Sequence, residues 1–351
     1  MAQLYIIGGN VMDYKEVLEK ARGNIGPYCK ACPVCNGKAC GNSMPGPGSK
    51  GPGNGAARNY DAWQKVFVNM DTICSNAAPD TSFKLFGREF ALPVFTAPIG
   101  ALPMHYSDAY DDFAYNDILI PTAVECGSAS FTGDGVDPEI MKRSAAAMAK
   151  VGGVGIPTIK PWNNEAVFEK LDVLNEQGIF AAAMDIDGAG LPFLKAMNPN
   201  AGSKPVADLK AVIDYAKMPF IIKGIMTVAG AEKAVEAGAA GIVVSNHGGR
   251  VLGQTRATAD VLPDIAKAVG GKCVIFVDGG IRTGVDVFKA LALGADAVLI
   301  GRPFVPAVYG GEAEGAKLLF AKLKAELVDT MTMCGAHTLA EITREKVYIE
   351  K

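Results

Sequence analysis

Two sets of residues in this sequence have types and spacings that chemistry could use. The first is a series of polar positions where apolar runs end: Lys223 in "FIIKGI", Ser245, His247 and Arg250 in "SNHGGR", Asp278, Gly280 and Arg282 in "DGGIR", and Gly301 and Arg302 in "IGRP". In the last two runs glycines admit close backbone approach and an arginine supplies bidentate charge, a combination that suits a phosphate group. Lys223 would then place a fixed positive charge beside whatever ring that phosphate tethers. Each residue alone has a plain explanation. A lone histidine is commonly structural, a lysine can reach solvent along its stem, and surface arginine pairs stabilise little. Their recurrence at the ends of consecutive apolar runs is what favours a site.

The second set is "CKACPVCNGKAC", where Cys29, Cys32, Cys35 and Cys40 make up half of the chain's eight cysteines. The spacing C-x₂-C-x₂-C-x₄-C puts three thiols on a tight turn with a fourth in reach. It approximates the ligand run of ferredoxin-type iron–sulfur clusters, although the last gap is longer and no proline follows Cys40. Zinc is the alternative, but it more often uses two separated C-x₂-C pairs. Free thiols or redox pairs are the remaining reading. Residues 36–59, "NGKACGNSMPGPGSKGPGNGAARN", are too rich in Gly and Pro for a helix or central strand. A coordinated metal would order such a segment in place of a hydrophobic core. Cys74, Cys126, Cys273 and Cys334 are scattered and read as buried small hydrophobes.

The elements that must position these residues follow from an alternation that begins near Pro93. Eight short apolar runs, at 94–100, 128–134, 153–160, 179–187, 220–225, 241–249, 273–280 and 297–303, alternate with Ala-rich segments of helical spacing. In "TVAGAEKAVEAGA", Thr227 is placed to cap a helix and Gly238 to stop it. Eight continuous apolar strands, each followed by a helix, predict a closed parallel (β/α)₈ barrel, an α/β fold of about 250 residues whose active site lies at the strands' C-terminal ends. A doubly wound sheet is the structural alternative, against which stands the lack of a G-x-G-x-x-G turn after any strand. "FKLFGREFALP" predicts a hairpin about Gly87. The domain reading is therefore 1–60 for a helix and a metal-binding lid, and 61–351 for the barrel.

Composition narrows the function further. Thirty-four Lys and Arg balance 37 Asp and Glu, for a net charge of −3 without a basic block, so nucleic acid is not an expected partner. The start has no positive n-region and only a short apolar patch from Leu4 to Ile7, and no run is long enough to span a bilayer. A cytoplasmic protein with reduced thiols is the expectation.

The runs "APIGA", "IIKGIMT", "SNHGGR", "FVDGGIRTGVDVFKALALGADAVLIGRP" and "EITRE" resemble the FMN-dependent α-hydroxy acid oxidases and dehydrogenases, the group of glycolate oxidase, lactate oxidase and flavocytochrome b2. The resemblance runs from about Asp61 to the C-terminus and is most specific over 219–303. It implies an enzyme that oxidises a 2-hydroxy acid to the 2-oxo product. His247 would be the base and Arg250 the carboxylate partner, with Lys223 facing N1 and O2 of FMN and Ser245 near the ring. Ala97, Pro98, Ile99 and Gly100 would lie against the flavin, Asp278 would bind the ribityl chain, and Gly280, Arg282, Gly301 and Arg302 would hold the phosphate.

The chain also departs from the family. The third strand's Q-x-Y falls on Gly155 and Pro157 in "GIPTIK", "FTGDG" stands where a serine pair should end the second strand, and "DIDGAGLPFL" lacks the second carboxylate-binding arginine. The cysteine segment replaces an N-terminal helix that normally brings a tyrosine. These departures predict an altered substrate site. An iron–sulfur cluster beside the flavin would favour a protein electron acceptor over oxygen, and the family often forms homo-oligomers, tetramers among them. Two other readings are a different flavin barrel enzyme, such as a reductase or an isomerase similar to type 2 isopentenyl diphosphate isomerase, and a non-catalytic flavin redox sensor or electron carrier. His105 is expected to cap or pack near a helix start and His337 to sit near a helix end, and neither is assigned to catalysis.

Overall fold

A computed structural model describes residues 13–350 except 136, 192, 193 and 195–200. The Leu4–Ile7 patch and part of the loop after the fourth predicted strand lie outside the described residues. Helix α1 (Tyr14–Asn24) starts with a capping box in which Asp13 accepts from the Glu16 amide at 2.8 Å and Glu16 accepts from the Asp13 amide. Its Val17, Leu18 and Ala21 are buried, and it packs against the long final helix, Phe304–Met333. The two backbones approach closely at Gly310, where a Cβ would lie 1.9 Å from the Val17 carbonyl. An irregular stretch carrying the cysteines leads to α2 (Gly55–Gln64), capped by Asn54. The short β1 (Val66–Val68) pairs antiparallel with the C-terminal strand, Val347–Ile349.

The predicted hairpin about Gly87 forms as β2 (Phe83–Leu85) and β3 (Arg88–Phe90). All eight predicted runs then contribute strands: β4 (Val94–Thr96), β5 (Phe131–Thr132), β6 (Ile156–Ile159), β7 (Ala182–Asp185), β8 (Phe220–Ile225), β9 (Gly241–Val244), β10 (Val274–Val277) and β11 (Ala297–Ile300). They form one parallel sheet in the order β4-β11-β10-β9-β8-β7-β6-β5, and a parallel bridge between Thr96 and Ser130 joins its two ends into a barrel. Among the helices between them are α3 (Leu102–His105), α4 (Asp112–Glu125), α5 (Glu139–Ala149), α6 (Asn164–Glu176), α7 (Val206–Tyr215) and α8 (Val228–Glu236). Then come α9 (Thr258–Val269), α10 (Gly284–Ala292) and the final helix α11, with Val347–Ile349 as β12. Thr227 caps α8 as predicted, accepting from the Gly230 amide at 3.0 Å.

The core has two parts. Between strands and helices lies an aliphatic layer, while a separate cluster fills the barrel with Phe95, Phe131, Ile156, Ile221, Val243, Phe276 and Leu299. Leu85 and Phe90 of the hairpin belong to this inner cluster and stopper the barrel's lower end. Phe276 meets Phe95 and Phe131 edge-to-face at 5.8 and 5.6 Å, contacts that each add about 1 kcal/mol beyond burial. The second four cysteines correct the expectation of uniform burial: Cys334 is buried, Cys126 and Cys273 are half-buried, and Cys74 is exposed.

Strand geometry decides which residues reach the barrel mouth. Side chains alternate across a strand, so the residue two places after an inward-facing core residue also points inward, one layer higher. From Phe95, Ala183, Ile221, Val243, Phe276 and Leu299 this rule leads to Ala97, Asp185, Lys223, Ser245, Asp278 and Gly301. The apolar layer thus builds a platform for the polar one.

Candidate active site at the barrel mouth

A cavity of about 480 Å³ opens at the C-terminal ends of the strands. Ala97, Pro98, Ile99, Gly100, Lys223, His247, Arg250, Asp278, Gly280, Arg282, Gly301 and Arg302 all line it. Ser245 does not. It is buried beneath, where its hydroxyl accepts from the His247 amide at 3.0 Å and bonds to Asp278.

The floor is a buried charge network. Lys223 Nζ donates to Asp185 at 3.1 Å and lies 3.6 Å from Asp278, and Lys160 pairs with the other Asp185 oxygen. Burial alone would raise the Asp185 pKa, but Lys160, Lys223 and His247 outweigh it and hold the carboxyl far below its usual range. Burial likewise works against a charged Lys223, and Asp185, Asp278 and Asp187 overcome it, so the ammonium persists. Asp278, for which burial dominates over Lys223, is raised.

His247 sits in the left-handed region at φ +56°, a conformation costing a non-glycine residue about 1 kcal/mol. Its turn is held from below by a reciprocal amide pair: Asn59 Nδ2 donates to Asn246 at 2.7 Å and Asn246 Nδ2 donates back at 2.8 Å. At its side, Gly55 of α2 presses so close that a Cβ there would be 2.9 Å from Gly249 Cα. His247 Nδ1 lies 3.0 Å from Asp187 and 3.7 Å from Asp185. That contact places the proton on Nδ1 in the neutral ring and leaves Nε2 an acceptor. Asp185, Asp187 and His247 are the one trio of potential ligand atoms among the described residues that lie within 4.8 Å of one another. The ammonium groups of Lys160 and Lys223 already neutralise it, so it has no need of a metal ion.

Three arginines reach from the barrel loops to backbone carbonyls of the N-terminal segment. Arg250 Nη1 donates to Gly46 and Gly48 at 2.7 and 2.9 Å, Arg282 Nε to Cys35 at 2.6 Å, and Arg302 Nε to Pro47 at 2.8 Å. Burial, with Arg302 adding to it, lowers Arg250 to about 10. Beyond these arginines is a second cavity of about 410 Å³, lined by Cys29, Cys32, Cys35 and Cys40. Pro47, Tyr106, Arg282 and Arg302 line both cavities and so form the wall between them. Burial pushes the Cys29 thiol up to about 11, and Cys35, Cys40 and Cys32 add to the shift.

Several site residues escaped the sequence reading. His105, expected near a helix start, instead closes α3 and turns into the cavity, where Arg250 Nη2 meets its Nε2 at 3.1 Å and the Gly46 amide donates to Nδ1 at 3.1 Å. Asp185, Asp187 and Lys160 had no assigned role, although all three stand at the ends of predicted strands. The register of β6 is also corrected. Gly155 and Pro157 do not face the barrel interior: a Cβ at 155 would lie 2.3 Å from Met148 Sδ of α5. Ile156 belongs to the inner cluster and Lys160 lines the cavity, so by alternation the inward positions are 156, 158 and 160, and this strand offers the mouth a lysine. Asp134, in the divergent "FTGDG", accepts from Trp162 Nε1 at 2.8 Å and Lys170 Nζ at 2.9 Å, and buttresses β6 through the Lys160 amide.

The FMN-dependent dehydrogenase family matches this chain at residues 47–115 and 170–349. A peroxisomal (S)-2-hydroxy-acid oxidase of Oryza sativa subsp. japonica is 46% identical over 322 residues, covering 83% of this chain and 87% of that protein. The 4-hydroxymandelate oxidase of Amycolatopsis orientalis is 29% identical over 85% of this chain and 90% of its own length. Among solved structures, a mandelate oxidase variant superimposes with a TM-score of 0.77 at 26% identity, covering 95% of this chain and 97% of that one. A lactate oxidase of Pediococcus acidilactici gives 0.78 at 25% identity, covering 97% and 96%. The family match leaves out 1–46, which holds the cysteines, and 116–169, which holds β5 and β6. Strand order, mouth geometry and sequence agree: the chain belongs to the FMN-dependent dehydrogenase family, whose barrel enzymes include the 2-hydroxy acid oxidases.

Proposed function

We propose that this protein oxidises a small 2-hydroxy acid to the 2-oxo acid at the mouth cavity, with His247 as base and Arg250 as carboxylate partner. The observation that carries the reading is the state of His247: its Nδ1 is engaged by Asp187, and it faces a cavity that also presents Lys223 and Arg250. FMN fits the residues present, because two groups that line the cavity keep a buried polar atom without a protein partner: Asp278 Oδ1 and Arg282 Nη2. A carboxylate for ribityl hydroxyls and a guanidinium for phosphate are what that nucleotide calls for. Gly100, Gly280 and Gly301 leave the cavity rim open to close approach.

Bound there, FMN would supply the two-electron acceptor for the reaction. Arg250 has five N–H groups and spends two, both on Nη1, on the Gly46 and Gly48 carbonyls, which leaves Nε and Nη2 for a carboxylate. His247 Nε2 takes the proton, and Asp187 and Asp185 stabilise the imidazolium that results. Lys223 contributes a fixed positive charge where negative charge builds on the ring, and Asp185 and Asp278 keep it in place. On the β6 side the cation facing the cavity is Lys160, held by Asp185, where the family has its second arginine on a neighbouring loop.

The finer parts of the reading concern the electron path and the setting. Cys29, Cys32, Cys35 and Cys40 would hold an iron–sulfur group, which would supply an electron exit toward a protein acceptor; zinc in that place would make the segment purely structural. Eight unpaired cysteines suit a reducing cytoplasm, and a homo-oligomer follows the family's habit. No helix among the described residues is long and apolar enough to cross a membrane. Anaerobic titration with glycolate, L-lactate and (S)-mandelate tests the central claim. Loss of the bound flavin's visible absorbance with at least one of them is the expected result, and a flavin that none of them reduces rejects it.

A further inference from the structure

The cavity next to the nucleotide site is built by residues that hydroxy acid oxidation does not itself require. Four cysteines converge on it from a twelve-residue stretch, and none is paired in a disulfide. Their sulfurs are gathered but not collapsed. A tetrahedral zinc site with Zn–S near 2.3 Å holds its sulfurs about 3.8 Å apart. Here no three of the four sulfurs lie within 4.8 Å of one another, since the trio that meets that limit among the described residues is Asp185, Asp187 and His247. A polynuclear cluster places an iron and a bridging sulfide between neighbouring thiolates and so calls for this wider spacing.

The segment that carries the thiols is tied to the barrel mainly through its backbone. Gly37 is pressed against the start of α2, where a Cβ would lie 2.8 Å from the Ala57 amide. Cys35, Gly46, Pro47 and Gly48 offer their carbonyls to Arg282, Arg250 and Arg302. The proposed function assigns Arg250 to the carboxylate and Arg282 to the phosphate, and the family resemblance puts Arg302 at the phosphate as well. Arg282 spends Nε on the Cys35 carbonyl and keeps Nη2 buried without a partner, so one side chain is anchored on the cysteine side and free on the nucleotide side.

We propose that Cys29, Cys32, Cys35 and Cys40 hold a polynuclear iron–sulfur cluster rather than a single zinc ion, and that this cluster fixes the carbonyls on which Arg250, Arg282 and Arg302 are latched. Removing it loosens the phosphate-binding and carboxylate-binding arginines together. The cluster half of the inference stands without the flavin reading. The latch half deepens that reading and rests on it for the nucleotide's identity.

The test uses full-length protein purified under argon. Iron, acid-labile sulfide and zinc are measured, followed by FMN affinity from flavin fluorescence and limited proteolysis before and after the metal is stripped with a chelator and oxidant. The expected result is about four iron and four sulfide per chain, and on stripping an FMN affinity weaker by about tenfold, because two arginines must then be ordered by the phosphate alone. New cleavage should appear within 30–54. The double variant Cys32→Ser/Cys35→Ser should show the same weakened affinity without any treatment, and far-UV circular dichroism confirms that its barrel is folded. Stoichiometric zinc without sulfide, or no metal after reconstitution with iron and sulfide, overturns the cluster. Unchanged FMN affinity and cleavage on stripping overturns the latch. A protein that holds iron and sulfide but takes up no FMN supports the cluster and defeats the flavin reading, so the two failures are told apart.

Discussion

The two halves of the barrel mouth are built on different terms. Around β8 to β11 two polar residues that line the cavity keep atoms in reserve: Asp278 Oδ1 and Arg282 Nη2 are buried with no protein partner, as suits groups waiting for a ligand. Around β5 to β7 the lysines are paired with carboxylates, and of the unpartnered atoms there, the Thr132 and Thr158 hydroxyls lie outside the cavity lining. Asp134 takes Trp162, Lys170 and the Lys160 amide, and Asp185 takes Lys160. The family match is continuous across the first half and missing from 116–169 in the second. One half has the chemistry of a holder, and the other that of a scaffold that shapes what is held.

That contrast can be broken by substitution. His247→Gln should lower the rate of anaerobic flavin reduction about 10³-fold with flavin content unchanged, since general base catalysis contributes about that much; a fall below tenfold would remove His247 from the role. Asp187→Asn touches the seam between the halves. It weakens the partner of His247 Nδ1 while Asp185 stays 3.7 Å away, so a loss of about 30-fold in kcat with KM nearly constant is expected. If Asp187→Asn matches His247→Gln, Asp185 lends no support. Lys160→Met lies wholly in the second half and should raise KM for the hydroxy acid about tenfold with little effect on kcat. A kcat effect as large as that at His247 would show that the division is false.

The smallest effect concerns His105. Burial, with Arg250 adding to it, lowers its pKa from 6.5 to about 4. Between those values the unfolded chain binds a proton that the folded site refuses, so stability falls as pH drops through this window. The loss is at most about 2 kcal/mol, given that the ring is not fully shielded from solvent. Melting temperature followed from pH 7 to pH 4 should decline less steeply in His105→Asn than in the parent, and parallel curves would exclude His105 as the source.

The barrel was legible because its signals are local and periodic. Eight apolar runs gave eight strands, and the alternation that buries Ile221 and Phe276 also aims Lys223 and Asp278 at the mouth. The residues that escaped are those whose partners are remote in sequence. Lys160 and Asp185 neutralise each other across 25 residues, and Arg282 reaches a carbonyl 247 residues away. A carbonyl has no sequence signature, so nothing in the order of residues marks Cys35 or Gly46 as an anchor. The error at Gly155 has another origin. With a two-residue period, placing the strand by a motif that has been lost turns each side chain to the wrong face.

The hairpin at the foot of the barrel has one more consequence. Because Leu85 and Phe90 close that end, the chamber above is a cul-de-sac. A finished oxo acid must back out through the doorway its precursor used, so departure and the next arrival compete for one passage. Turnover would then slow as product accumulates, however fast the chemistry inside.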